Sequence, residues 1–287
     1  MTFNEIISKL PKPYYQDSEV VIYHADCRDI LPLIPDKSID LVLTDPPYGL
    51  NYNNGDLANM RESAFGGDVS RQVARPIVND DEDTANRLFQ DMLKVSGQKL
   101  LKGGACCCCC CGGGPKPLFA KWTLWMDEFI GFKQAVVWDK GGLGMGIHFR
   151  RNYEFMLIAQ NGSPAHRWNG GNDTPNVWQI PKIIPQEYEH PTAKPELLME
   201  FTVNLFSNPD DIVLDPFMGC GTTLRAAKNL SRKCIGIEIE EKYCEIAARR
   251  CSQTVMNLNP DLLQNGSPGG VHLMIQDKMW EGKDAHL

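Results

Sequence analysis

Two short stretches of this 287-residue chain combine side chains in patterns that could do chemistry. The first, DLVLTDPPYG at 40–49, ends an apolar run in a carboxylate, two rigid prolines and an aromatic ring. Pro46 cannot continue a central strand, so Asp45, Pro46, Pro47 and Tyr48 are expected where a strand leaves its sheet. The prolines donate no hydrogen bond, which leaves the carbonyls of Asp45 and Pro46 without a proline amide competing for them. The corner therefore offers hydrogen-bond acceptors beside a planar ring. A strand end that merely tucks a tyrosine under the sheet has the same sequence.

The second stretch, DIVLDPFMGCGTTLRAA at 211–227, closes another apolar run with Asp215. Gly219 and Gly221 permit a close turn, and Thr222 or Thr223 is expected to cap the helix that follows. About 20 residues on, CIGIEIE sets Glu238 at the end of the next strand, where an acid can accept hydrogen bonds from ribose hydroxyls. The pattern is neither GxGxxG nor a P-loop. A crossover whose glycines serve only close packing is the alternative.

The elements that must position these residues alternate. Strands are expected at 19–24, 40–44, 134–140, 153–160, 211–215 and 234–238, with helices at about 84–98, 121–130, after Pro195, through TTLRAAKNL and through EKYCEIAARR. Such alternation predicts an α/β fold with a doubly wound, mostly parallel, Rossmann-like sheet. The stretch 49–83 has few apolar periodicities and reads as a flexible excursion. Residues 1–250 are expected to form one domain with a short recognition region at 141–189, and 251–287 a C-terminal tail.

Composition narrows the class. The formal charge is −7, so nucleic-acid binding is allowed rather than indicated, although 100–170 carries 8 basic and 4 acidic residues. The sequence has no continuous apolar stretch of membrane-spanning length and no signal-like start, and the expected location is cytoplasmic. Six of the eleven cysteines are consecutive, Cys106–Cys111. Neighbouring strand side chains point to opposite faces, so this run reads as a buried strand and not as a metal site.

As an ordered set the motifs resemble the amino-methylating DNA methyltransferases that depend on S-adenosylmethionine. DPPY (45–48) and DPFMGCGTT (215–223) carry the likeness, with HADCRDIL, VVWDK, NYEFMLIA, HPTAKP and IGIEIEEKY. The catalytic segment precedes the cofactor segment, which resembles the circularly permuted order of the beta group. The resemblance implies that Asp45, Pro46 and Tyr48 form the catalytic, base-holding corner. It implies a cofactor site from Asp26, Cys27, Asp45, Thr192, Lys194, Pro195, Asp215, Phe217, Gly219, Gly221, Thr222, Glu238 and Ile239, with no metal. Glu238 is then the ribose acceptor, Ile239 an adenine wall, and Thr192, Lys194 and Pro195 the segment over the methionine portion.

The implied reaction is methyl transfer to adenine N6 at specific sites in double-stranded DNA, with the target base flipped. Cytosine N4, an RNA or protein-glutamine acceptor, and a noncatalytic nucleotide-binding regulator are the alternatives. Lys140, Arg150, Arg151 and Arg167 are the candidate DNA contacts. A homodimer and a restriction enzyme partner are both compatible with the family.

Overall fold

Apolar runs of four to six residues, with every position buried, are stable only where both faces of a sheet are covered. Strands β3 (Ile39–Thr44) and β8 (Ile212–Asp215) are of this kind. The computed structural model describes residues 1–49, 78–110, 117–142, 149–165, 167–182 and 194–253. The central part of the expected excursion, Thr192, Cys111 and the tail from 254 lie outside the described residues.

Among the described residues, nine strands form one sheet in the order β1-β2-β9-β8-β3-β4-β6-β5-β7. The others are β1 (Tyr15–Gln16), β2 (Val20–His24), β4 (Leu100–Cys110), β5 (Phe132–Asp139), β6 (Tyr153–Gln160), β7 (Val177–Gln179) and β9 (Lys233–Glu238). Five of the eight neighbouring pairs are parallel; β1 runs against β2, and β6 runs against both β4 and β5. The doubly wound, mostly parallel expectation is met. The edge strands β1 and β7 were not expected, being two and three residues long in polar surroundings.

Helices cover both faces. Glu82–Lys99 and Leu118–Phe129 pack Leu88, Met92, Trp122 and Met126 on one side. Glu196–Phe206, Thr222–Asn229 and Glu241–Ser252 pack Leu198, Val203, Leu224 and Ala247 on the other. The cysteine strand serves both layers by its alternation: Cys106 and Cys108 belong to the first core, Cys107 and Cys109 to the second. Gly104 lets β4 lie close to β3, since a Cβ there would stand 2.9 Å from the carbonyl oxygen of Asp40.

The parallel register Leu41↔Val213 and Val42↔Leu214 makes β3 and β8 direct neighbours. Their carboxyl ends, carrying Asp45 and Asp215, therefore open at the same end of the sheet, where ligands of open α/β sheets collect. No helix among the described residues is long and apolar enough to cross a membrane.

Candidate active site

The glycine turn follows β8. Asp215, buried, accepts hydrogen bonds from Thr44 Oγ1 at 2.7 Å and from the Phe217 amide at 3.1 Å. Burial pushes its pKa up to about 6. Gly219 and Gly221 have φ of +49° and +79°, in the left-handed region that favours glycine. Gly221 is the N-cap of Thr222–Asn229, and a Cβ on it would meet the Ala247 Cβ at 2.7 Å.

The expected threonine cap is thus corrected: no side chain caps this helix. Thr222 and Thr223 already lie inside its first turn, so their hydroxyls turn elsewhere. Thr222 Oγ1 accepts from Arg250 at 3.3 Å, and Thr223 bonds to Asp215.

Glu238 ends β9. Its two carboxylate oxygens accept from the Gly219 amide at 3.0 Å and the Glu240 amide at 2.8 Å. Burial raises its pKa to about 7. Asp26 caps the helix Cys27–Ile30 by accepting from the Arg28 amide, and its carboxylate also pairs with the Arg28 guanidinium at 2.6 Å. Burial pushes the Cys27 thiol up to about 12, so it is an apolar wall and not a thiolate.

The acceptor corner follows β3. Tyr48 donates its hydroxyl to Asp45 Oδ1 at 2.7 Å, and its ring meets Trp122 edge-on with centroids 5.8 Å apart. Lys194 Nζ donates to Asp45 Oδ2 at 2.7 Å and to the Tyr48 hydroxyl at 3.2 Å, and it stands 5.2 Å from the Tyr48 ring centroid. Behind it, Glu154 Oε2 lies 3.6 Å from Lys194 Nζ, and Glu154 Oε1 accepts from Lys140 Nζ at 2.9 Å.

Four charges of alternating sign therefore run Asp45, Lys194, Glu154, Lys140. Burial acts to lower the pKa of Lys194, but Asp45 and Glu154 hold it above its ordinary value. Burial likewise acts to raise Glu154, and Lys194 and Lys140 hold it below the ordinary carboxylate value. Lys194 and Glu154 are thereby kept in their charged forms.

Both walls face one cavity of about 410 Å³. Asp26, Cys27, Asp45, Pro46, Tyr48, Lys140, Lys194, Pro195, Asp215, Phe217, Gly219, Thr222, Glu238 and Ile239 line it. Gly221 stands behind the lining and shapes the turn. The β5–β6 connection, with Arg150 and Arg151, leaves β5 at this same end of the sheet, because β5 runs antiparallel to β6 and β6 antiparallel to β4.

Arg167 does not join them. It pairs with Asp211 at 2.9 Å, immediately before β8 begins and thus at the opposite end of the sheet. Glu154 pairs with Lys140 at 2.9 Å and with Lys194 at 3.6 Å.

A family model described as DNA methylase, N6_N4_Mtase, matches residues 39–249. The chain belongs to this DNA methylase family. Among curated relatives, the Type II methyltransferase M2.LlaDCHI of Lactococcus lactis subsp. cremoris is 29% identical over 85% of this chain and 93% of its own. The DNA adenine methyltransferase YhdJ of Escherichia coli (strain K12) is 28% identical over 84% of this chain and 85% of its own. In fold, the methylase chain resembles the cytosine-N4-specific PvuII DNA methyltransferase, with a TM-score of 0.64 at 20% identity, over 95% of this chain and 96% of that one.

Glu154, Trp138 and Tyr243 also line the cavity of this DNA methylase, outside the residues that its sequence motifs predict. For Glu154 a signal existed. In NYEFMLIA it shares a strand face with Met156 and Ile158, both core residues, so a carboxylate was due on an inward-facing position. A charge placed there needs a partner, and Lys194 and Lys140 supply it.

Proposed function

We propose that this DNA methylase transfers the methyl group of S-adenosylmethionine to adenine N6 at specific sites in double-stranded DNA. The observation that carries the reading is the single cavity bounded by the Asp45 corner and by the Gly219 turn with Glu238. Residues 1–250 are taken as one catalytic domain in which 141–189 reads the target.

The donor set suits the cofactor. Glu238 offers carboxylate oxygens to ribose hydroxyls, and Cys27, Phe217 and Ile239 offer walls to an adenine ring. Asp26 stands beside that ring, the Asp215–Gly219 turn receives the centre of the molecule, and Lys194 and Pro195 bound its methionine portion. Gly221 and Thr222 hold the turn to its helix. When bound, S-adenosylmethionine supplies an activated methyl group on its sulfonium, and the base amine that receives it gives up one proton to solvent.

The protein's own part is to bare the amine. An exocyclic nitrogen delocalises its lone pair into the base. Donating its two hydrogens to the Asp45 carboxylate and the Pro46 carbonyl fixes that lone pair toward the donor and stabilises positive character on nitrogen. Tyr48 packs against the base. Flipping that base from the duplex costs a few kcal/mol, which the pocket contacts must offset. Lys140, Arg150 and Arg151, at the crevice end, track phosphates, which gives affinity without specifying sequence. Arg167, at the other end, has no part in this contact.

Adenine is favoured by DPPY and by kinship with a relative named as a DNA adenine methyltransferase. The relatives named Type II methyltransferases favour a restriction enzyme partner. Incubation with labelled methyl donor and mixed-sequence duplex DNA, followed by mass analysis of nucleosides, is expected to yield N6-methyladenine. N4-methylcytosine would overturn the choice of base, and no methylated nucleoside would overturn the whole reading.

A further inference from the structure

The ammonium of Lys194 occupies the position that the target amine needs. It donates to Asp45 Oδ2 at 2.7 Å and lies 5.2 Å from the centroid of the Tyr48 ring. A nitrogen donor on that oxygen beside that ring is what the base amine would be in the reaction just proposed. A base entering the corner meets a site already filled by the protein's own cation.

The cation has somewhere to go. Glu154 Oε2 is a buried acceptor without a hydrogen-bond partner among the described residues. It lies 3.6 Å from Lys194 Nζ, too long for a hydrogen bond but within one side-chain rotation of it. Its other oxygen is anchored by Lys140 at 2.9 Å, so the carboxylate is held in place while one oxygen stays open. An acceptor buried without a hydrogen bond costs free energy, so shortening its existing 3.6 Å contact with the Lys194 ammonium to a hydrogen bond is favourable.

We propose that Glu154 is a positioning residue which receives the Lys194 ammonium when the target base takes its place on Asp45. In the base-free protein Lys194 neutralises Asp45 and keeps the corner closed. In the base-bound protein the Lys194–Glu154 contact shortens to a hydrogen-bonded ion pair, and Asp45 Oδ2 is released to the amine. The lysine thus never becomes an unpaired buried charge, whose cost would otherwise oppose every binding event. Glu154 acts through Lys194.

The inference rests on the assignment of Asp45 as the amine acceptor, and the test separates the two. Initial rates are measured on unmethylated plasmid DNA at saturating S-adenosylmethionine, with affinity for the demethylated donor followed by calorimetry. Glu154→Gln is expected to lower kcat/KM for DNA about tenfold, the size of coupling seen between contacting charged residues, with donor-product affinity unchanged.

In the Lys194→Met background the same Glu154→Gln change is expected to cost less than about twofold, because no ammonium remains to be received. Equal losses in the two backgrounds would show that Glu154 merely supports the sheet, and would overturn the proposal. Glu154→Asp keeps the charge between the lysines but draws it back from Lys194. It supplies the same cycle if glutamine prevents folding, and it must show the same dependence on Lys194. Asp45→Ala, which leaves no side-chain oxygen at the corner, isolates the underlying reading: full activity in that variant removes Asp45 as the acceptor, whereas an inactive Asp45→Ala beside additive Glu154 and Lys194 effects removes only the relay.

Discussion

The two walls of the crevice are held in place by different means. On the donor side, polar side chains rest on backbone amides and one short hydroxyl: Glu238 on Gly219 and Glu240, Asp215 on Phe217 and Thr44. On the acceptor side, side chains rest on one another: Asp45 on Tyr48 and Lys194, Glu154 on Lys140. Amides fixed by a strand end and a left-handed glycine turn move only if the backbone moves. Long side chains that pair with each other rearrange by rotation about single bonds. The contrast gives one wall that is preformed and one that adjusts.

The largest effect expected is on the adjustable wall. Asp45→Ala removes the acceptor, so methylation should fall about 10²–10³-fold, as when one preorganised partner of a reacting group is lost. Affinity for the demethylated donor should stay within about twofold, since no Glu238 or glycine-turn contact is touched. A parallel loss of donor affinity, measured by calorimetry, would mean that the walls are not separable.

Gly221→Ala attacks the preformed wall through its backbone. The left-handed φ and the Ala247 contact at 2.7 Å should together cost about 2 kcal/mol of stability in denaturant titrations. Unchanged stability would show that the turn is softer than its geometry implies. Smaller again, Glu238→Ala should weaken donor-product binding about tenfold, the worth of roughly one charge-assisted hydrogen bond, while leaving the acceptor wall intact.

The smallest effect is one of pH. Glu238 ionises as pH rises through about 7 instead of near 4.5, and only the ionised acid is a full acceptor for ribose hydroxyls. Donor-product affinity should therefore rise between pH 6 and pH 8, by no more than about tenfold, and Glu238→Gln should flatten the rise. Stability moves the opposite way. The native state keeps this proton more tightly than the unfolded chain, so the contribution of Glu238 to stability declines from pH 4.5 to about 7, as does that of Asp215 up to about 6.

The preformed wall was the more legible in sequence. Asp215, Gly219, Gly221 and Glu238 lie within 24 consecutive positions, and strand, turn, helix and strand each leave a local pattern. Only the cap was misread there, because a glycine in the left-handed region took the position assigned to a hydroxyl. The adjustable wall draws on positions 45, 140, 154 and 194, which no local pattern joins. Lys194 meets Asp45 across 149 positions, and neither residue names the other. Arg167 failed for the same reason: a basic residue in a polar stretch looks solvent-facing, yet its partner Asp211 is 44 positions away. The short strands β1 and β7 were missed because two or three residues show no period.

The reversal of β6 has a consequence for how this molecule can diversify. Because β6 runs against β5, the chain leaves the sheet at Asp139 and re-enters opposite it at Tyr153, on the rim beside the opening. A helical crossover would instead have returned the chain at the far end. Lengthening a link of this kind displaces no strand, and each doubling adds only about 0.6 kcal/mol of closure entropy. The rim can thus be rewritten by insertion, one descendant after another, while the apparatus beneath it is inherited whole.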